Sequence, residues 1–169
     1  APHLVDVTTP DYIADVLRET GLRADLLWLE ITEHAVLQGS GSDPSTTTLE
    51  AFRRLGQLGV RLAVDDFGTG FSSLSSLMNF SIDMVKIDES FVSGLPDDRR
   101  GAAMVESLLT LGRRMGIATV AEGIERVEQL NVLAELGCRL GQGFLLGRPG
   151  PDLPGGVQST PLRVLRSIS

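Results

Sequence analysis

The sequence VDDFGTGFSSL occupies residues 64–74 and joins an apolar run to two adjacent carboxylates and a glycine-containing loop. Carboxylates at a strand end rarely serve packing, because burying an uncompensated charge costs several kcal/mol. Gly68 and Gly70 permit a sharp turn, and the hydroxyl residues beside them favour a polar loop that could cover a ligand. The stretch therefore predicts a divalent-metal site at the mouth of a parallel barrel.

Strand and helix patterns alternate five times around this stretch. This alternation is typical of parallel strands joined by crossover helices, and it indicates an α/β fold of the TIM-like (β/α) barrel type. Predicted strands cover residues 26–32, 61–65, 84–88, 118–122 and 138–142, and predicted helices cover residues 10–20, 43–58, 73–78, 97–115 and 127–136.

The predicted strands share a register. Near its carboxyl end, each strand carries a polar residue two positions after an apolar one, and residues two apart share a face of the strand. In a β/α barrel the carboxyl ends of the strands hold the active site. We therefore expect five polar side chains to point to one place: Glu30, Asp65, Lys86, Glu122 and Gln142.

Three carboxylates of this set and the adjacent Asp66 offer the oxygen ligands that Mg²⁺ or Mn²⁺ prefers: Glu30, Asp65, Asp66 and Glu122. The alternative is structural, with each carboxylate capping a helix or pairing with a surface arginine. Lys86 could hold a water or offset the charge of a phosphate, and its structural alternative is an ion pair with one of the aspartates.

Glu33 and Glu125 each follow a strand-end glutamate by three residues. Either carboxylate could accept hydrogen bonds from the backbone at a helix start. In the functional interpretation, Glu33 instead anchors the loop over residues 67–73. Gln142 is predicted either to bind a base or phosphate or to form buried hydrogen bonds.

Composition limits the class of protein. The chain has 169 residues, 42% of them hydrophobic, and no apolar run long enough to predict a membrane segment. A net charge of −7 argues against binding DNA or RNA polymers, whose phosphates attract basic surfaces. Cys138 is the only cysteine, which excludes an internal disulfide and fits a reducing, cytoplasmic location. We expect its thiol to be inert.

Five motifs, in this order, resemble those of the EAL-domain family of cyclic di-GMP phosphodiesterases. The resemblance covers residues 1–149, which leaves residues 150–169 as a tail with a short helix predicted over 161–168. The motifs are LEITE at 29–33, DDFGTGFSSL at 65–74, VKID at 85–88, AEGIE at 121–125 and GQGF at 141–144.

The resemblance implies a two-metal hydrolysis that opens cyclic di-GMP to linear pGpG. Glu30 and Asp65 would bind the first ion, and Asp65 and Asp66 the second. Lys86 and Glu122 would orient the attacking water. By the same resemblance, Gln142 would lie near the substrate and Glu33 would fix the loop; Glu125 is a further candidate for substrate binding or loop anchoring.

The resemblance also implies an incomplete domain, because a whole barrel needs about 250 residues. The family's Glu-Ala-Leu strand and a metal-binding Asn belong before Ala1. We therefore expect a barrel that lacks its N-terminal strands, a chain that is inactive alone, and a homo-oligomer or strand exchange through exposed barrel edges. The parent protein could be tethered to a membrane through further domains.

Two other functions compete with hydrolysis. A noncatalytic cyclic di-GMP receptor or interaction module would explain the missing ligands, although it has no need of Lys86 and Glu122 as a water-activating pair. A glycosidase with paired carboxylates is less favoured, because adjacent aspartates with a lysine suit phosphate and metal, and Trp28 is the only tryptophan for sugar stacking.

Overall fold

The computed structural model describes residues 8–33, 46–70, 81–148 and 166–167. The chain divides into two compact units, Ala1–Asp83 and Met84–Ser169. Each unit combines helices with parallel strands, so the predicted α/β class is confirmed in both.

The first unit contains two helices and two strands in the described residues. Pro10 lies in the first turn of its first helix, and Gly21, with a φ of 68°, closes that helix by donating its backbone N–H to the Leu17 carbonyl. The elements are α1 (Thr9–Thr20), a 3-10 turn (Ala24–Leu26), β1 (Trp28–Thr32), α2 (Thr46–Leu58) and β2 (Arg61–Phe67).

The core of the first unit is formed by buried residues of α2 and of the two strands. Ala51, Phe52 and Leu55 recur at helical spacing on α2 and are buried. Strand β2 is buried on both faces at Leu62, Ala63 and Val64, as is usual for a parallel strand. Strands β1 and β2 pair in parallel, with Glu30 beside Ala63 and Thr32 beside Asp65.

The second unit begins with three short parallel strands and their connecting helices. Strand β4 pairs with β3 and with β5, and a fourth strand joins β5 in antiparallel orientation. The elements are β3 (Met84–Ile87), α3 (Glu89–Val92), α4 (Arg99–Met115), β4 (Ala118–Ala121), α5 (Val127–Glu135), β5 (Leu140–Gly141) and β6 (Arg166–Ser167).

Local capping and close packing fix the helices of the second unit. Asp98 accepts a hydrogen bond from the Arg100 backbone at the start of α4, and Gly116 ends that helix with a φ of 71°. At Gly112 an added Cβ would lie 2.5 Å from the Thr119 side chain, so α4 packs directly on β4. The core is therefore closely packed where β4 meets its crossover helix.

Some predicted elements differ from the structure. The strand predicted over residues 138–142 is limited to Leu140–Gly141, and α3 was not predicted. The helix predicted over 73–78 lies outside the described residues. In the segment 161–168, where a short helix is predicted, only Arg166 and Ser167 are described, and they form β6. None of the described helices has the length and apolar character needed to cross a bilayer.

Candidate active site

Asp65 and Asp66 bring their carboxylates together at the end of β2. Successive side chains of an extended strand point to opposite faces, but Asp66 departs from strand geometry with a φ of 54°. Aspartate tolerates this left-handed conformation better than most residues. One carboxylate oxygen of Asp66 consequently lies within 4.8 Å of one from Asp65. Asp65 is half-buried and Asp66 is exposed, so the pair is accessible to a ligand.

Glu33 holds the loop that follows these aspartates. Its side chain is 4% exposed, and its Oε2 accepts hydrogen bonds from the backbone N–H groups of Gly68, at 2.9 Å, and Gly70, at 3.3 Å. A Cβ at Gly70 would lie 2.7 Å from Glu33 Oε1, so the loop approaches the carboxylate too closely for a side chain. These hydrogen bonds join Glu33 to the loop backbone at Gly68 and Gly70.

Glu30 lies on the strand beside the aspartates. Register partners in a sheet point to the same face, and Glu30 is the partner of Ala63. Ala63 and Asp65 are two apart on β2 and share a face. Glu30 and Asp65 are therefore directed to the same side of their strand pair, with Asp65 one step nearer the carboxyl end.

Lys86 and Glu122 form an ion pair in the second unit, with 2.9 Å between Lys86 Nζ and Glu122 Oε1. Their side chains are only 7% and 16% exposed. The backbone N–H of Glu122 donates to the Ile87 carbonyl, which continues the β3–β4 ladder by one residue. A nearly buried ammonium group is costly unless a carboxylate compensates its charge, and Glu122 does so. Lys86 thus pairs with a glutamate that directly follows the neighbouring strand β4.

Gln142 lies beside the end of β4. Its backbone N–H donates to the Ala121 carbonyl at 2.8 Å, and its carbonyl accepts from the Ile124 N–H at 3.0 Å. The next residue must be small, because a Cβ at Gly143 would lie 2.2 Å from the Ile124 backbone. These contacts fix the half-buried Gln142 beside the segment from Ala121 to Ile124, which contains Glu122.

Glu125 is exposed, and its backbone N–H donates to the side chain of Gln129. Sequence reasoning missed Gln129, a polar residue with only 2% exposure, and its neighbour Arg126. A glutamine at the third position of a helix is half of a capping-box signal, which could have drawn attention to it. The other half was missing, because Arg126 stands where Ser or Thr usually precedes the helix.

Each unit therefore assembles part of the predicted site. The first contains Glu30, Glu33, Asp65 and Asp66 on and beside two paired strands. The second contains Lys86, Glu122 and Gln142 on and after three paired strands, with Glu125 exposed nearby.

Comparison with known proteins agrees with these motifs. The EAL domain family profile matches residues 2–149. The cyclic di-GMP phosphodiesterase NbdA of Pseudomonas aeruginosa is 36% identical over 151 residues, which are 89% of this chain and 19% of that protein. The chain spans about a fifth of the length of the curated relatives it matches.

Solved structures of other proteins are also similar to this chain. The PaMucR phosphodiesterase in complex with c-di-GMP superposes with a TM-score of 0.78 and 37% identity, covering 85% of this chain and 56% of that one. A manganese and c-di-GMP complex of Klebsiella pneumoniae BlrP1 gives a TM-score of 0.74 and 35% identity, covering 83% of this chain and 35% of that one. The chain belongs to the EAL-domain family and has its α/β fold, here as an incomplete TIM-like barrel.

Proposed function

We propose that the EAL domain to which this chain belongs is a metal-dependent phosphodiesterase that hydrolyses cyclic di-GMP to linear pGpG. The names of NbdA and PaMucR support this substrate. The observation that carries the proposal is the buried Lys86–Glu122 pair, because a protein that only binds a nucleotide has no need of a paired acid and base at its strand ends.

The carboxylates of the first unit fit divalent metal ions. Two oxygens on one Mg²⁺ lie at most about 4 Å apart, since each is about 2.1 Å from the ion. Oxygens of Asp65 and Asp66 lie within 4.8 Å of one another, so the two carboxylates are close enough for a small side-chain shift to bring both onto one ion. In the proposal, Glu30 and Asp65 hold one ion and Asp65 and Asp66 hold the other, with Mg²⁺ or Mn²⁺ as the metal. Such ions lower the pKa of water and stabilise charge on phosphoryl oxygens.

The second unit supplies the groups that act on water and substrate in this proposal. Glu122 orients the attacking water and accepts its proton, while Lys86 holds the Glu122 carboxylate in position. Gln142 contacts the substrate or its waters. Glu125 is exposed and is kept in this proposal as a substrate-binding or loop-anchoring residue. Glu33 keeps the loop after Asp66 in place through Gly68 and Gly70.

The proposed reaction belongs to the whole domain, because the chain spans 56% of the solved PaMucR chain. Residues 1–149 would contribute to this domain and residues 150–169 would follow it. We expect this chain alone to be impaired and the domain to work in the cytoplasm. The test compares this chain with a version extended at its N-terminus, each incubated with cyclic di-GMP and Mn²⁺ or with EDTA.

Formation of pGpG by the extended protein, its loss in EDTA and its recovery with Mn²⁺ are the expected results. Binding of cyclic di-GMP without turnover by either form would contradict catalysis and favour the receptor function. Failure to bind at all would contradict both.

We also propose that the chain self-associates through strand edges. Strand β1 has β2 as its described strand partner, and an edge strand presents backbone groups that pair readily with another chain. Light scattering should give a mass above that of the 18.1 kDa monomer. A stable, dispersed monomer would contradict this proposal.

A further inference from the structure

Gln129 joins two segments that leave neighbouring strands of the second unit. One segment, after β3, contains α3 and the turn to Leu95; the other, after β4, begins at Glu122. The side chain of Gln129 lies between them with 2% exposure. Its position on α5 alone would suggest only a helix cap, but its contacts extend beyond its own helix.

Both ends of the Gln129 amide are engaged. Its Oε1 accepts hydrogen bonds from the backbone N–H groups of Glu125, at 2.9 Å, and Arg126, at 2.8 Å. Its Nε2 donates to the carbonyls of Val92, at 3.1 Å, and Ser93, at 3.3 Å. The oxygen caps α5, whereas the NH₂ group ties that helix start to the segment after β3. A carboxylate could perform the first task but not the second.

Two further contacts tie the same segments together. The Arg126 guanidinium donates to the carbonyls of Ser93, at 2.9 Å, and Leu95, at 2.6 Å. At Gly123, next to Glu122, an added Cβ would lie 2.6 Å from the Glu89 Cβ, so the two segments touch directly. The segment that follows Lys86 is therefore fixed to the segment that begins at Glu122.

From these contacts we infer that Gln129, assisted by Arg126, is a positioning residue that holds Glu122 against Lys86 for catalysis. The inference rests on the proposed phosphodiesterase function. Gln129 is too deeply buried to meet substrate, and it acts by fixing the loop over residues 122–126. A displacement of about 1 Å in a catalytic group can lower a rate by about 100-fold, so this loop is a sensitive point.

The test uses the N-terminally extended protein carrying Gln129→Glu, which keeps the acceptor oxygens but loses the NH₂ donor. We expect kcat to fall at least about tenfold with KM within about twofold of wild type, because Glu122 is no longer held against Lys86. Gln57→Glu makes the same change at an exposed position on α2 and should leave both constants unchanged. Arg126→Met is a milder variant should Gln129→Glu not fold, and Arg126→Lys should recover part of the rate.

Unchanged kcat in folded Gln129→Glu or Arg126→Met would overturn the inference, as would a loss of kcat that only follows the folded fraction measured by circular dichroism. An inactive wild-type protein would instead overturn the proposed function and the inference with it. The two failures are distinguishable, because only the first leaves wild type and Gln57→Glu active.

Discussion

Lys86 Nζ lies 2.9 Å from Glu122 Oε1, and both side chains are largely shielded from solvent. The pair spans neighbouring parallel strands, since Lys86 is the register partner of Val120, two residues before Glu122. Replacing either residue would therefore disturb an ion pair that is largely shielded from solvent.

Glu122→Gln should abolish hydrolysis of cyclic di-GMP in the extended protein without unfolding it. An amide fills the same space but cannot accept a proton, and general-base catalysis typically contributes about 100- to 10,000-fold to a rate. Single-turnover formation of pGpG measures the effect. Glu128→Gln, on the exposed face of α5, is the matched control and should retain full activity. Activity of Glu122→Gln within about threefold of wild type would exclude Glu122 as the base.

Gly70→Ala should destabilise the chain and weaken Mn²⁺ binding. The new Cβ would lie 2.7 Å from Glu33 Oε1, so the loop or the buried carboxylate must shift and strain the hydrogen bonds between them, and overpacking of this kind costs about 1–3 kcal/mol. Urea unfolding and Mn²⁺ titration give the two readouts. Gly56→Ala is the control: it lies in α2 with nothing within 4 Å of its added Cβ, and it should raise stability by about 0.5–1 kcal/mol. Equal behaviour of the two variants would contradict the close contact at Gly70.

Asp66→Asn removes the charge of residue 66 but keeps a side chain that tolerates its left-handed backbone conformation. Asparagine accepts the φ of 54°, so we expect stability to change little while Mn²⁺ affinity falls at least about tenfold. Asp66→Val adds backbone strain, because a β-branched residue is disfavoured there, and should lose a further 1–3 kcal/mol or so of stability. Asp97→Asn, at an exposed position, should change neither property. Unaltered Mn²⁺ binding by Asp66→Asn would remove Asp66 from the metal ligands.

The sequence predicted best those helices that are long enough to show an apolar period and that end at a glycine. Helices α1 and α4 end at Gly21 and Gly116 as expected, because both glycines adopt the left-handed conformation that closes a helix. Helix α3 was missed since four residues are too few to show a helical period. Strand β5 was predicted to begin too early. The Cys138 N–H donates to the Leu133 carbonyl near the end of α5, so it is not available to a neighbouring strand.

The sequence pattern predicted candidate site positions but not the contacts that their side chains make. A period of two along each strand was sufficient to select Glu30, Asp65, Lys86, Glu122 and Gln142. It could not show that Lys86 pairs with Glu122, since that depends on the β3–β4 register, nor that Glu33 accepts from Gly68 and Gly70, 35 and 37 residues away. The buried role of Gln129 likewise depends on distant carbonyls. Sequence periodicity carries no information on these long-range partners.

Cys138 should react slowly with thiol reagents in the folded protein. It is 2% exposed, burial raises the pKa of its thiol, and its Sγ–H donates to the Leu140 carbonyl. At pH 8, Ellman's reagent should titrate one thiol rapidly in urea and far more slowly in buffer. The unfolded thiol ionises near its usual pKa of about 8.5, so the unfolded state releases its proton first and stability should decrease as the pH rises above that value. Cys138→Ala should lose this part of the pH dependence. A native thiol that reacts as fast as the unfolded one would contradict this prediction and show that the connection between α5 and β5 opens readily to solvent.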